Sequence, residues 1–200
     1  MRHGKLLRVG GYLSGGVLIL LGIAVVVLGV WGFTFTRDSI KDEGIVFGSA
    51  DDPAVAEHAE QWAGEPVETG RQALAFAEIM REHTLASTGG LTYAEMGRYQ
   101  SAESPADPAG TNDASAAAKD ENGQPISNGA RDIWVTETAL TTALNMGFMS
   151  EMLSIFSVVV GIALLLSGIG FLILALAVFR PGRPESQAVS PVPVPGGAAA

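Results

Sequence analysis

Residues 9–36 read VGGYLSGGVLILLGIAVVVLGVWGFTFT, and residues 152–179 read MLSIFSVVVGIALLLSGIGFLILALAVF; neither stretch contains a charged side chain or a histidine. Each stretch has 28 residues, more than the roughly 20 that an α-helix needs to cross a bilayer. The two stretches predict an all-α membrane protein in which two transmembrane helices, 9–36 and 152–179, form a hairpin.

The first stretch could instead be a secretory signal peptide, because three basic residues precede it. A signal peptide has a shorter apolar region, roughly 7–15 residues, and a small-residue cleavage site. No such site follows here, so we expect an uncleaved span. Tyr12 and Trp31 then lie near the two membrane interfaces, where aromatic rings are preferred.

Charge predicts the orientation of the hairpin. The tail 1–8 has three basic residues and no acidic one, and the tail 180–200 has two basic residues and one acidic one. The segment 37–151 holds seven of the twelve basic residues but twenty of the twenty-one acidic ones. Because cytoplasmic loops are enriched in Lys and Arg, we expect both termini in the cytoplasm and 37–151 outside.

Composition excludes several classes of function. The formal net charge of −9 makes nucleic acid an unsuitable partner, because binding phosphates needs clustered Lys and Arg. The absence of cysteine excludes disulfides, thiolate metal sites and a catalytic thiol. The two spans carry no ionisable group of the kind that marks ion paths and proton relays, which argues against transport.

Helix signals in 37–151 predict a small helical domain. Asp52 precedes a proline, as at a helix start, and this helix should run to about Ala63. Thr69 begins a capping box for a helix that ends at Ser87, before two glycines. Thr92 and Glu95 have the same spacing and predict a third, short helix to about Tyr99.

The rest of the segment divides into a flexible part and a rigid part. Residues 101–129 are rich in Ser, Ala, Pro, Gly, Asn and Asp, which predicts a flexible insert. From about Ala130 an apolar pattern at every fourth position continues without proline into the second span and predicts one long helix. The tail 180–200 contains a Pro-Val-Pro-Val-Pro run and is predicted to be disordered; a docking peptide for a proline-reading partner is the alternative.

Small residues recur every seven positions in both spans, which returns them to nearly the same helix face. They predict a packing seam, because close backbone approach is what holds helices together in lipid. The seam residues are Gly15, Gly22, Gly29, Ser154, Gly161, Gly168 and Ala175. We expect Gly22 opposite Gly168, with Val26 and Leu172 facing lipid; a homodimer through Gly11 and Gly15 is the competing use of the same small residues.

No catalytic, cofactor-binding or metal site is predicted. His58 and His83 are 25 residues apart, which matches no metal-binding spacing. No nucleophile–base pattern and no phosphate-binding loop occurs. One side of the long helix is a possible partner-binding face, with packing inside the domain as the alternative: Trp134, Thr138, Thr141 and Asn145.

Two stretches, 80–99 and 134–148, resemble a family of uncharacterised two-span membrane proteins from actinobacteria, whose members often carry the label aromatic ring-opening dioxygenase. That label implies a non-haem iron site, which typically takes two His and a carboxylate. The outer segment has only two His, at unrelated spacing, and does not support it.

We therefore expect a non-enzymatic structural or interaction protein in a bacterial plasma membrane. Its expected partners are the lipid bilayer and either another membrane protein or a second copy of itself. One alternative is an accessory subunit of a larger transporter or respiratory complex. The other is an enzyme that acts on an envelope lipid or glycan, with these candidate residues: His83, Glu95, Arg98 and Glu137.

Overall fold

The computed structural model describes residues 2–177, which contain four α-helices and isolated β-bridges but no strand. The helices are α1 (Arg2–Asp42), α2 (Pro53–Ala59), α3 (Gly70–Ser87) and α4 (Gly129–Ala177), and a 3₁₀ turn, Glu60–Trp62, follows α2. α1 and α4 are each long and apolar enough to cross a membrane. The all-helical class predicted from the sequence is confirmed, and the tail 180–200 lies outside the described residues.

α1 is longer than the uncharged stretch at both ends. It begins at Arg2, so residues that we predicted to be a separate tail are helical, and it continues to Asp42. Arg, Lys and Leu are good helix formers, and the flanks contain no proline. The chain leaves the helix just before Gly44, whose φ of +62° is a conformation that glycine adopts at no steric cost.

α1 and α4 pack side by side and antiparallel. The closest approaches join Gly15 with Gly168, Gly22 with Gly161, and Gly29 with Ser154. At each pair a β-carbon on the α1 glycine would lie within 2.9 Å of the partner's carbonyl oxygen, which is closer than a side chain tolerates. The small residues therefore allow the two backbones to touch.

The register differs from the expected one by one seven-residue repeat. Gly22 lies opposite Gly161 rather than Gly168, and Ala175 is buried beside Gly11. The structure brings all seven seam residues to this contact. Val26 and Leu172 do not simply face outward as we expected, because their side chains cover Gly161 and Gly15.

The capping signals place the starts of α2 and α3 as predicted, but α2 ends at Ala59 rather than at about Ala63, and the 3₁₀ turn Glu60–Trp62 follows it. The Asp52 carboxylate accepts from the Ala54 N–H at 3.0 Å and begins α2. The Thr69 hydroxyl accepts from the Gln72 N–H, and α3 then runs from Gly70 to Ser87. A small core forms where these helices meet the C-terminal end of α1 and the N-terminal half of α4; it includes Ile40, Phe47, Val55, Val67, Ala73, Ile79 and Leu144.

The third predicted helix, from Thr92 to about Tyr99, is wrong. The Glu95 carboxylate does accept from both the N–H and the hydroxyl of Thr92, but the chain forms turns there. The backbone N–H groups of Gly97 and Tyr99 donate to Ala109 and Thr111. Pairing with the following loop therefore replaces the hydrogen bonds that a helix would have made.

Residues 101–128 contain no helix or strand, as expected of a loop, and the flexibility of this insert stays a prediction. Isolated bridges join Tyr99 to Thr111 and Ser127, and Ser101 to Ala117. Ala117 is buried, and Asn128 is buried at the start of α4. The segment is a hydrogen-bonded loop folded on residues 97–101.

Asn128 holds this loop to α4, and its loss should loosen the loop. Its amide donates to the carbonyl oxygens of Gly97 and Pro108, while its Oδ1 accepts from the Ala130 N–H. Asn128→Ala leaves these groups unpaired and should cost about 2 kcal/mol of unfolding free energy, with faster proteolysis between residues 101 and 127. The exposed Asn122→Ala serves as control; equal proteolysis of both variants would show that Asn128 does not hold the loop.

Candidate interaction site

An open cavity of about 540 Å³ lies where α1 leaves the apolar helix pair and meets α3 and α4. We call it the membrane-edge groove, because it begins at the end of the two helices that are apolar enough to cross a membrane. Most of its lining is apolar and comes from three helices and the segment after α1: Phe35, Ile40, Ile45, Phe76, Met80, Leu140, Leu144 and Met146. Leu140 and Met146 are 47% and 67% exposed, so part of the apolar lining of the groove is uncovered at the protein surface.

Four polar residues line the groove: Thr36, Ser39, Glu43 and Ser150. The Ser39 hydroxyl donates to the Phe35 carbonyl oxygen of its own helix. The hydroxyls of Thr36 and Ser150 are 2.8 Å apart and line the end nearest the apolar helix pair. Glu43 lines the groove just beyond the end of α1. No Lys or Arg lines this groove in the part of the chain that the structure describes. The arrangement suits an apolar ligand with at most one uncharged polar group.

A partly buried ion pair holds α3 against the helix pair beside this groove. The Glu151 side chain is 4% exposed and accepts from Arg37 Nη2 at 3.1 Å. Its other oxygen accepts from the Gly70 N–H at the first turn of α3, where the helix dipole favours a negative charge. The Arg37 guanidinium also lies 4.4 Å from the centre of the Phe33 ring. Glu151 thus joins α1, α3 and α4 at one point.

The predicted partner face on α4 is divided by the fold. Trp134 is 4% exposed, and its indole N–H donates to the Leu91 carbonyl oxygen at 2.8 Å. Thr138 lines a shallow depression beside it. Thr141 is half-buried and donates to the Glu137 carbonyl oxygen, whereas Asn145 is exposed. Trp134 is a packing residue of the domain, and the four residues do not form one exposed surface.

The residues considered for an enzymatic role lie apart in the structure. Glu95 is engaged with Thr92, whose N–H and hydroxyl hold the pKa of this carboxyl below its ordinary value. Glu137 is buried, with the Thr138 hydroxyl as its partner. Among the described residues, no hydrogen bond joins His83, Glu95, Arg98 or Glu137 to another member of this set.

Both outer histidines bridge α2 and α3. His58 Nε2 lies 3.1 Å from a Glu82 oxygen, and His83 Nε2 lies 2.8 Å from an Asp52 oxygen. Glu57, His58 and Glu82 bring one ligand atom each within 4.8 Å of the others, a proximity that the sequence spacing concealed. These side chains lie at least partly in solvent, and the His–carboxylate contacts add to the buried apolar packing between α2 and α3.

Sequence reasoning missed the membrane-edge groove. Its apolar side chains come from positions 35–45, 76–80 and 140–147, which only the fold brings together. The signal in the sequence was the apolar pattern of α4 before Glu151, which predicted packing inside the domain, with a partner-binding face as the alternative. Leu144 is buried as that reading requires, but Leu140 is exposed on the groove.

Comparisons of the chain with protein-family models, with curated proteins and with solved structures find no match. The contacts described above therefore carry the functional proposal.

Proposed function

We propose that the chain is a non-enzymatic membrane protein that holds a small acidic helical domain at the outer face of a bacterial plasma membrane. α1 and α4 form the transmembrane hairpin, and both termini lie in the cytoplasm. The bias of Lys and Arg toward the two tails supports this orientation.

The proposal that the protein binds another molecule rests on one observation. The membrane-edge groove leaves apolar side chains uncovered at the point where the helix pair enters the domain. Ligand sites are mostly apolar clefts with a few polar groups, in the volume range of roughly 300–1,000 Å³. The groove has this chemistry and this size, and it lies next to the ion pair of Arg37 and Glu151 that fixes the domain on the helix pair. Its function on this account is to bind a membrane component.

Thiol labelling tests the membrane placement. The chain has no cysteine, so a single introduced thiol reports its own side of the membrane. Asn122→Cys, in the exposed outer loop, should react with a membrane-impermeant maleimide on intact spheroplasts. Ser190→Cys, in the C-terminal tail, should react only after permeabilisation. The reverse pattern, or equal reaction of both thiols on intact spheroplasts, would refute the proposed orientation.

A further inference from the structure

The membrane-edge groove has the length of part of an acyl chain. From Leu140 to Ser150, α4 follows the groove for ten residues, or about 15 Å at 1.5 Å per residue. Most of the residues that line it over this length are apolar. An extended apolar chain suits this lining.

An apolar path connects the groove to the level of the bilayer. Trp31 stacks on Phe35 with ring centres 5.4 Å apart, and Phe35 lines the groove. Both rings are more than half exposed, and Trp31 lies in the uncharged stretch 9–36. A hydrocarbon chain can thus follow these rings from the membrane interface to Met146, and Glu43 is the one charged residue among those that line the groove.

The polar groups fix which way the occupant lies. The hydroxyls of Thr36 and Ser150 have two hydrogens, and their mutual bond uses one. The other hydrogen is available to an ester or amide carbonyl at the end of the groove nearest the membrane. The absence of Lys and Arg among the lining residues, together with Glu43, disfavours an anionic headgroup inside.

We propose that the membrane-edge groove binds one acyl chain of an outer-leaflet lipid, with its carbonyl at the Thr36–Ser150 hydroxyl pair and its methyl end toward Leu140. This assignment rests on the membrane placement proposed above. Binding of this kind covers the apolar groups that the domain leaves exposed, and it gives the domain a means to recognise a membrane lipid.

Photolabelling in vesicles tests the assignment. The full chain is reconstituted in phosphatidylethanolamine–phosphatidylglycerol vesicles that contain a trace of phosphatidylethanolamine with a diazirine at the end of one acyl chain. After irradiation, mass spectrometry should find lipid adducts on groove peptides, within 76–80 and 140–147, as well as on the two apolar helices.

Ala143→Trp fills the groove from its own lining and should reduce the groove adducts by about tenfold. Asn145→Trp is the matched control, because Asn145 is exposed on the same turn of α4 but does not line the groove; its adducts should equal those of the native chain. Adducts confined to the two apolar helices would overturn the acyl-chain assignment and leave the membrane placement intact. Absence of adducts from those helices too would overturn both.

A protein occupant gives a different result. A photoreactive residue at position 143 in native membranes should yield a lipid adduct of the chain. A cross-link to a second polypeptide in place of the lipid adduct, or equal groove labelling of the two tryptophan variants, would also overturn the assignment.

Discussion

Gly15→Leu should lower the unfolding free energy by about 3 kcal/mol, the upper end of the usual cost of overpacking. A β-carbon at Gly15 would lie 2.8 Å from the carbonyl oxygen of Gly168 and 2.9 Å from the Leu172 side chain. Backbone cannot rotate away as a side chain can, so the two helices must separate. The measurement is a denaturation curve of the purified chain in detergent.

The neighbouring glycine provides the control. A β-carbon at Gly16 would meet nothing within 4 Å, and replacing a helical glycine relieves a cost of up to about 1 kcal/mol. Gly16→Leu should therefore be neutral or stabilising. Gly168→Leu and Gly170→Leu form the same contrast on α4, since only Gly168 faces α1. Equal stability of Gly15→Leu and Gly16→Leu would show that α1 and α4 do not pack through this face.

Glu151→Ala should cost about 3 kcal/mol, because removing one partner of a buried pair leaves the other unpaired. The substitution takes the acceptor from the Arg37 guanidinium and from the Gly70 N–H of α3. The Arg37 side chain is 37% exposed and can recover some water, which keeps the expected loss at the low end of the range for buried pairs. The unfolding free energy in detergent is again the quantity to measure.

A surface ion pair on the same domain serves as the comparison. Lys41 and Glu68 are 3.7 Å apart, and their side chains are 46% and 48% exposed. Exposed pairs contribute at most about 1 kcal/mol, so Glu68→Ala should change stability little. If Glu151→Ala proved as mild as Glu68→Ala, Glu151 would not join the domain to the helix pair.

The helix contact could be predicted from the sequence, but its register could not. Small residues at every seventh position identify the packing face, and sliding one helix by seven residues still matches small residues with small residues. Contacts outside the seven-residue repeat fix the register of the two helices: the Thr36 hydroxyl hydrogen-bonds with the Ser150 hydroxyl, and Arg37 pairs with Glu151. These polar pairs join residues 114 positions apart, and no local pattern reveals them.

The loop after residue 101 shows what composition leaves open. Its Asp, Ser and Gly residues predict a loop, but composition does not reveal which of them form turns. The carboxylates of Asp107, Asp113 and Asp120 each accept from the backbone N–H two residues later. Asp residues are favoured in turns for this reason, so the same composition is compatible with a flexible chain and with a succession of turns.

The two capping boxes also show that a local sequence signal does not by itself decide whether a helix forms. At Thr69 the box is followed by an uninterrupted helix, whereas at Thr92 the box forms but the helix does not. The difference arises at Gly97, whose N–H donates to Ala109 and whose α-carbon packs against the backbone at Thr111. Whether a helix forms after Thr92 therefore depends on a segment twelve or more residues further along the chain.

The central claim is that α1 and α4 pair within one chain as an antiparallel hairpin, and one disulfide tests it most directly. A β-carbon at Gly32 would lie 3.7 Å from the Cβ of Ser154, within the roughly 3.5–4.5 Å that disulfides require. In membranes, the Gly32→Cys/Ser154→Cys double variant should oxidise within one chain, so that the two halves stay linked after proteolysis of the outer loop until reductant is added. The control pair Gly32→Cys/Ser167→Cys, with its second thiol thirteen residues further along α4, should give separate halves. The predicted result is that the two halves of one chain stay linked in the Gly32→Cys/Ser154→Cys variant and separate in the control. Cross-links that form only between two chains would contradict the hairpin.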